Sequence, residues 1–355
     1  MNIFKEWFNR YFTDPQVIIL GVILLICALV IILLGKILTP VLASVVIAFL
    51  LEGPISKLES YRLPRLIAIL MVFLTFMAFL FYLLFGLIPI LSYQTGQVVS
   101  ELPSMIARGQ KQLMLLPERY PEFISQENII ALNSLLQTEL GNIGQKLLAF
   151  SMASVRSVVI FVVYLILVPF MVFFMLKDKA LILKWFAELL PKNRHFSTQV
   201  YHEVNRQIGN YVRGKFLEIL IVWVVSYATF YILDLRFAIL ISLIVGLSVL
   251  VPYIGAAVVT FPIAMVAFYQ WGWGPELLKI MIVYAIIQLL DGNLLATLLL
   301  SEVVNIHPVA IIVSILVFGG LWGFWGLIFA IPLATLIQAI LKAWPMAKKE
   351  SESLF

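Results

Sequence analysis

The apolar runs Val17 to Leu34 and Leu66 to Phe85 are 18 and 20 residues long, which at 1.5 Å per residue is the length of helix that crosses about 30 Å of hydrocarbon. Water is absent there, so every backbone N–H and C=O has to be satisfied inside the segment, and a helix does this by itself. Runs of this kind recur along the chain and point to an all-α integral membrane protein.

Composition agrees. Of 355 residues, 63% are hydrophobic and 12% charged, about half the charged fraction of an ordinary soluble domain. The net charge of +5 comes from short basic loops between apolar runs and forms no continuous stripe, so membrane topology explains it and nucleic acid is not an expected partner. Cys27 is the only cysteine, which excludes disulfides within the chain and cysteine-based zinc sites. Val17 to Leu34 is longer than a signal-peptide core and no small-residue cleavage site follows it, so it reads as a permanent helix. Ahead of it, Trp7, Phe8, Tyr11 and Phe12 alternate with Lys5, Glu6 and Arg10. That pattern fits a helix in the headgroup layer or an ordinary tail.

About eight membrane segments are expected. Residues 1–91 hold the N-terminal tail and three of them, with a return after Gly35 and Lys36 into Ile37 to Leu51. Residues 92–150 regain polar character, carry three prolines after Leu102 and read as a small helical domain outside the bilayer. Residues 151–235 hold the fourth and fifth segments around a polar linker, 177–215. Residues 236–341 form a broken-helix region, and 342–355 a tail. The linker has eight basic and three acidic residues, whereas 92–150 has four basic and five acidic. Basic loops stay in the cytoplasm, so 177–215 is expected inside and 92–150 outside, with both termini cytoplasmic by counting spans.

The last third is unusual. Arg236 to Gln270 and Asn305 to Leu341 are apolar, too long for one comfortable pass, and interrupted near the middle by Val251-Pro-Tyr-Ile-Gly-Ala256 and Phe318-Gly-Gly-Leu-Trp-Gly-Phe-Trp-Gly326. They are weakly alike: Ser242-Leu-Ile-Val-Gly246 leads to Phe261-Pro-Ile-Ala264, and Ser314-Ile-Leu-Val-Phe-Gly319 leads to Ile331-Pro-Leu-Ala334. One ordinary span, Leu277 to Leu300, lies between them. Two re-entrant hairpins of opposite sense around one crossing are the pattern of inverted repeats in secondary transporters. An unwound helix is tolerated in a membrane only where its bare backbone groups line a cavity or hold a ligand. The plainer alternative is that these residues permit a kink or close packing, Gly319-x-x-x-Gly323 being a helix-packing spacing in its own right.

Polar residues within the apolar runs add candidates. Gln288, Asp291 and Asn293 gather in the middle of the intervening span, where a carboxylate costs at least about 2.5 kcal/mol on insertion scales. Asp291 is suited to bind a cation, accept a proton or hold a polar solute, with Asn293 as its hydrogen-bonding neighbour; a structural carboxylate capping a hairpin tip is the alternative. Pro252, Tyr253, Gly255, Gly319, Gly320 and Gly323 would supply the unwound backbone of a substrate or ion site. Glu218 and Glu302 are expected to reach the interface, and Asp234 and Arg236 to form a solvated pair. Catalytic motifs, a phosphate-binding loop and metal-ligand spacings are absent, and the three histidines are not spaced as ligands. An enzyme, a cofactor and a bound metal are therefore not expected, and any pumping would draw on an ion or solute gradient.

Several long motifs in one order carry a resemblance. Leu50-Leu-Glu-Gly-Pro54, Phe173-Phe-Met-Leu-Lys-Asp178, Tyr211-Val-Arg-Gly-Lys215, Pro252-Tyr-Ile-Gly255, Asp291-Gly-Asn-Leu-Leu295, Ile306-His-Pro308, the glycine-tryptophan run 318–326 and Ala330-Ile-Pro332 closely resemble the autoinducer-2 exporter (AI-2E) family, in its branch of PerM-type permeases. The resemblance covers essentially the whole chain. It implies a homo-oligomeric, pentameric bacterial inner-membrane permease embedded in lipid, which moves a small molecule or ion by an elevator-like displacement of the broken-helix region. Substrate does not carry over: an autoinducer-2-like solute and sodium or lithium exchanged for protons both occur as family readings. A scaffold or partner-binding role through 92–150 is the rival of another class.

Overall fold

The computed structural model describes residues 15–115, 155–188, 195–252, 254–295, 298–299 and 307–343, and every regular element among them is helical. Helix α1 is Pro15–Ser60, α2 Arg65–Tyr82, α3 Ile88–Met114, α4 Val155–Lys177, α5 Lys179–Glu188, α6 His195–Ile232, α7 Ala238–Ser248, α8 Ile254–Trp271, α9 Pro275–Leu290 and α10 Pro308–Ala343. Two π-helical turns, Leu83–Leu87 and Asp291–Leu295, extend α2 into α3 and continue α9.

The first difference from expectation lies in α1. No turn follows Gly35 and Lys36; the helix runs 46 residues through Pro40 and Pro54, about 69 Å. A helical glycine costs only about 1 kcal/mol relative to alanine, and the leucine and isoleucine on both sides keep the helix going. The return that separated the first two expected spans is therefore missing, and the span count that put the N-terminus inside loses that support.

The expected outer domain begins as the extension of a span. The run Arg65–Met114 is helical for 50 residues, about 75 Å, more than twice the hydrocarbon thickness. Residues 92–114 are thus the continuation of a span through Pro103, which closes when the N–H of Leu115 bonds to the carbonyl of Gln112. The rest of the expected domain, 116–150, lies outside the described residues. Similarly, the polar linker contributes α5 and the first half of α6. Because α6 begins at His195, Glu218 is far from a helix end and is 2% exposed. It is buried where an interfacial position was expected.

The chain forms two compact units, one of residues 1–77, 163–217 and 296–355, the other of 78–162 and 218–295. Region 236–341 is shared between them. In the first unit, Ala48 and Ile55 of α1, Ala68 and Ile69 of α2 and Val172 and Leu176 of α4 form a buried cluster, with Phe73 edge-on to Phe173. In the second, α7, α8 and α9 pack Ile241, Val245, Val259, Ile263, Ile280 and Tyr284 around Phe230 of α6 and Met105 of α3.

Outward faces are apolar. Leu33, Leu74, Phe85, Ile166, Leu289 and Leu316 are each more than three-fifths exposed, which suits lipid and not water. Among the described residues, five helical stretches are long and apolar enough to cross a bilayer (Ile37–Ser60, Arg65–Met114, Asn205–Ile232, Ile254–Trp271 and Pro275–Leu295), and α4, which is followed by an 80° bend into α5, brings the total to at most six. The chain is a multi-pass helical membrane protein.

Candidate transport site

In the second unit, α7 and α8 form an antiparallel hairpin. At its base, the Gln270 side chain spans both arms: Nε2 donates to the Asp234 carbonyl at 2.7 Å, and Oε1 accepts the Arg236 N–H at 2.9 Å. At its bend, the N–H of Val251 bonds to the Ser248 carbonyl, that of Ile254 to Pro252 and that of Gly255 to Val251. A Cβ on Gly255 would fall within the van der Waals envelope of the Ser248 carbonyl; only glycine lets the second arm leave the bend this close to the first. From base to bend the arms are about 18 Å and 23 Å long, at 1.5 Å per residue. Although α8 alone has enough residues for a crossing, a hairpin of this depth falls short of about 30 Å of hydrocarbon. The chain doubles back here, at the Pro-Gly interruption.

The base is held by α3. Arg236 Nη2 donates to Glu101 Oε1 at 2.6 Å, Arg108 Nη1 to the Tyr269 carbonyl at 2.6 Å, and Gln94 Oε1 accepts the N–H of Leu240. Both guanidinium groups also lie over the Tyr269 ring. Arg236 is thus paired with Glu101, and the expected Asp234–Arg236 pair gives way to a longer-range one.

Helix α9 lies against the hairpin and carries the polar candidates. Ile280, Tyr284, Ile287 and Asp291, at helical spacing, form its buried side, and Asp291 is 9% exposed. The Tyr284 hydroxyl donates to the Ala256 carbonyl at 2.7 Å, tying the span to the residue after Gly255. Asp291 opens the π-helical turn, a local widening that recurs at functional sites. One turn earlier, Gln288 Nε2 is buried without a hydrogen-bond acceptor among the described residues, a donor whose desolvation costs about 1–3 kcal/mol until something accepts from it. Asn293 is exposed and donates to the Leu289 carbonyl at 2.9 Å; two residues beyond Asp291 it sits roughly 160° away around the helix, and its amide serves its own backbone.

The second hairpin is α10, in the first unit. Its backbone leaves the helical region at Gly323, with φ 59° and ψ −135°, a break that both the hairpin and the kink reading require. A Cβ on Gly326 would meet the Phe318 carbonyl as one on Gly255 would meet Ser248, and a Cβ on Gly319 would lie 2.6 Å from Leu327 Cδ2. Gly320 has open space around it. Pro252, Gly255, Gln288, Asp291 and Asn293 therefore belong to one unit and Gly319, Gly320 and Gly323 to the other. Tyr253 and Glu302 lie outside the described residues.

Four contributors went unnoticed in the sequence: Tyr284, Gln270, Gly326 and the Glu101–Arg236 pair. Gly326 had a signal, since it lies within one residue of the place in the second repeat that Gly255 takes in the first. Tyr284 and Gln270 had none, because a tyrosine within an apolar helix and a polar residue near a helix end look ordinary. Tyr284→Phe is expected to lower stability by about 1 kcal/mol, the net value of one buried hydrogen bond, because Thr260 still donates to the same carbonyl. Thermal unfolding of the purified protein in detergent checks this.

Comparison with known proteins agrees with this architecture. A sequence model of the AI-2E family transporter matches residues 20–346. PerM of Escherichia coli (strain K12), named as a permease, is 41% identical over 345 residues, 97% of this chain and 98% of that one. YrrI of Bacillus subtilis (strain 168), named as a transport protein, is 25% identical over 304 residues, 85% of each chain. TqsA of Escherichia coli (strain K12), named an AI-2 transport protein, is 21% identical over 330 residues, 91% of this chain and 92% of that one. With the match running through both hairpins and the span between them, the chain belongs to the AI-2E family of transporters.

Proposed function

We propose that this chain is a carrier of the bacterial inner membrane that exports a small polar solute, an autoinducer-2-like molecule being one candidate cargo, by an elevator-like displacement of its broken-helix region. The observation that carries the proposal is the shallow hairpin α7–α8, bonded through Tyr284 to a span whose buried Asp291 opens a π-helical turn. Apolar arms let the hairpin sit in hydrocarbon, while its unwound bend and the buried carboxylate and amide offer the polar contacts that a solute loses on leaving water. The name of TqsA favours the cargo; the family resemblance favours the displacement and a pentameric assembly. Loop charge favours 92–150 outside and 177–215 and the C-terminus in the cytoplasm.

Asp291 also supports a second reading, a sodium or lithium/proton antiporter, since a buried carboxylate can exchange a proton for a cation. Proteoliposomes loaded with a pH-sensitive dye and a metabolite mixture separate the two. Solute release without proton movement is expected for the exporter; proton flux that scales with a sodium or lithium gradient identifies the antiporter. Absence of both fluxes overturns the carrier and leaves a partner-binding role for 92–150.

A further inference from the structure

Helix α4 ends at Lys177, and after Asp178 the chain continues as α5 with its axis turned by 80°. The elbow is held by ions. Glu52 Oε1, from α1, accepts Lys179 Nζ at 2.8 Å and Arg65 Nη1 at 3.3 Å; Arg65 also reaches Glu59 at 3.1 Å and donates to the Leu176 carbonyl at 3.2 Å. That last bond satisfies a carbonyl left bare by the end of α4. Four helices thus end or begin at a cluster of six charges, Glu52, Glu59, Arg65, Lys177, Asp178 and Lys179. Such a cluster belongs at the edge of the hydrocarbon and not within it.

From that edge α5 has little choice of position. Ten residues make about 15 Å of helix, and at 80° to the span they advance only about 3 Å along it. The helix therefore runs along the membrane surface and does not complete a crossing. Leu181 and Trp185, four residues apart on one side, are 69% and 59% exposed. Lys184 is exposed beside Leu181, and Lys177 is exposed at the elbow with its Nζ over the Phe174 ring. Exposed leucine and tryptophan flanked by lysine is the composition of a helix lying in the headgroup layer, where tryptophan accumulates.

We propose that α5 is an interfacial anchor that binds an anionic lipid surface, with Leu181 and Trp185 at the acyl boundary, Lys177 and Lys184 at the headgroup phosphates, and the Glu52–Arg65–Lys179 cluster fixing the angle of the elbow. The occupant is lipid because the elbow sits at the membrane edge by its charge and the exposed side chains match that edge.

The test uses the full chain with Cys27→Ser, carrying L181C or K184C, in nanodiscs of phosphatidylethanolamine and phosphatidylglycerol. Both positions are exposed, and W185C reads the same face should L181C fold poorly. A charged maleimide is expected to label the K184C thiol readily and the L181C thiol at least about fivefold more slowly. Replacing phosphatidylglycerol with phosphatidylcholine is expected to raise the L181C rate at least about fivefold, the weight of one of the two lysines at an anionic surface. A bimane on L181C is expected to be quenched by lipids brominated near the headgroup. Equal rates at the two positions would show α5 in water, and slow labelling without quenching would show it covered by protein or a second copy; either result overturns the proposal. A rate at L181C indifferent to phosphatidylglycerol overturns the anionic specificity.

Discussion

Replacing Asp291 with asparagine is expected to reduce transport sharply, to the level of empty vesicles if the carboxylate couples an ion, while leaving the protein folded and inserted. The side chains are nearly isosteric, so the buried side of α9, formed with Ile280, Tyr284 and Ile287, should keep its packing. Insertion should not suffer, because a carboxylate at mid-span costs at least about 2.5 kcal/mol on insertion scales and an amide carries no charge. What the amide cannot do is hold a negative charge against a cation or release a proton. If Asp291 couples an ion, flux is lost outright; if it only accepts hydrogen bonds from a solute, the amide oxygen retains part of the affinity and a reduced flux remains. Flux in proteoliposomes with equal protein per vesicle distinguishes these cases. Unchanged flux removes Asp291 from the mechanism, and failure to insert, or a large fall in thermal stability, makes it the structural carboxylate that caps a hairpin.

How far these features could be read in the sequence depended on whether their cause was local. Apolar runs of crossing length report directly on lipid-facing helices, and both breaks fell near where glycine and proline interrupt the runs: the bend before Ile254, and Gly323. No turn forms after Gly35 and Lys36 because one glycine in a leucine-rich context does not stop a helix and lysine is a good helix former; nothing there offers an alternative home for the backbone hydrogen bonds. Glu218 was misplaced for a related reason, since hydropathy marks where apolar sequence begins and α6 starts 23 residues earlier, at His195. Asn293 neighbours Asp291 in sequence, yet helix geometry turns it away, and its amide bonds to Leu289. Long-range partners such as Glu101 for Arg236 depend on how α3 continues beyond its span, and no periodicity announces that.

The glycines of the two hairpins divide into a test series, and among the described glycines Gly326→Ala and Gly255→Ala are expected to be the most damaging single-methyl additions. In each case the new Cβ would overlap a backbone carbonyl, Phe318 or Ser248. A carbonyl in a helical turn cannot swing aside as a side chain can, so the two arms must separate. Adding a methylene to a well-packed core typically costs about 1–3 kcal/mol, and displacement of backbone places these variants at the upper end. Separation of the first hairpin would also pull Ala256 from the Tyr284 hydroxyl, so transport should fall along with stability. Gly323→Ala acts differently: space is open around it, but φ 59° with ψ −135° is a conformation that costs an L-residue about 1–3 kcal/mol. Gly320→Ala is the control, because nothing lies within 4 Å of its would-be Cβ and alanine favours a helix over glycine by up to about 1 kcal/mol. The expected order of thermal stability is Gly320→Ala at or above wild type, Gly323→Ala below it, and Gly255→Ala and Gly326→Ala lowest. If Gly326→Ala melts with Gly320→Ala, the second arm does not close on the first at Phe318, and α10 is a kinked span instead of a hairpin.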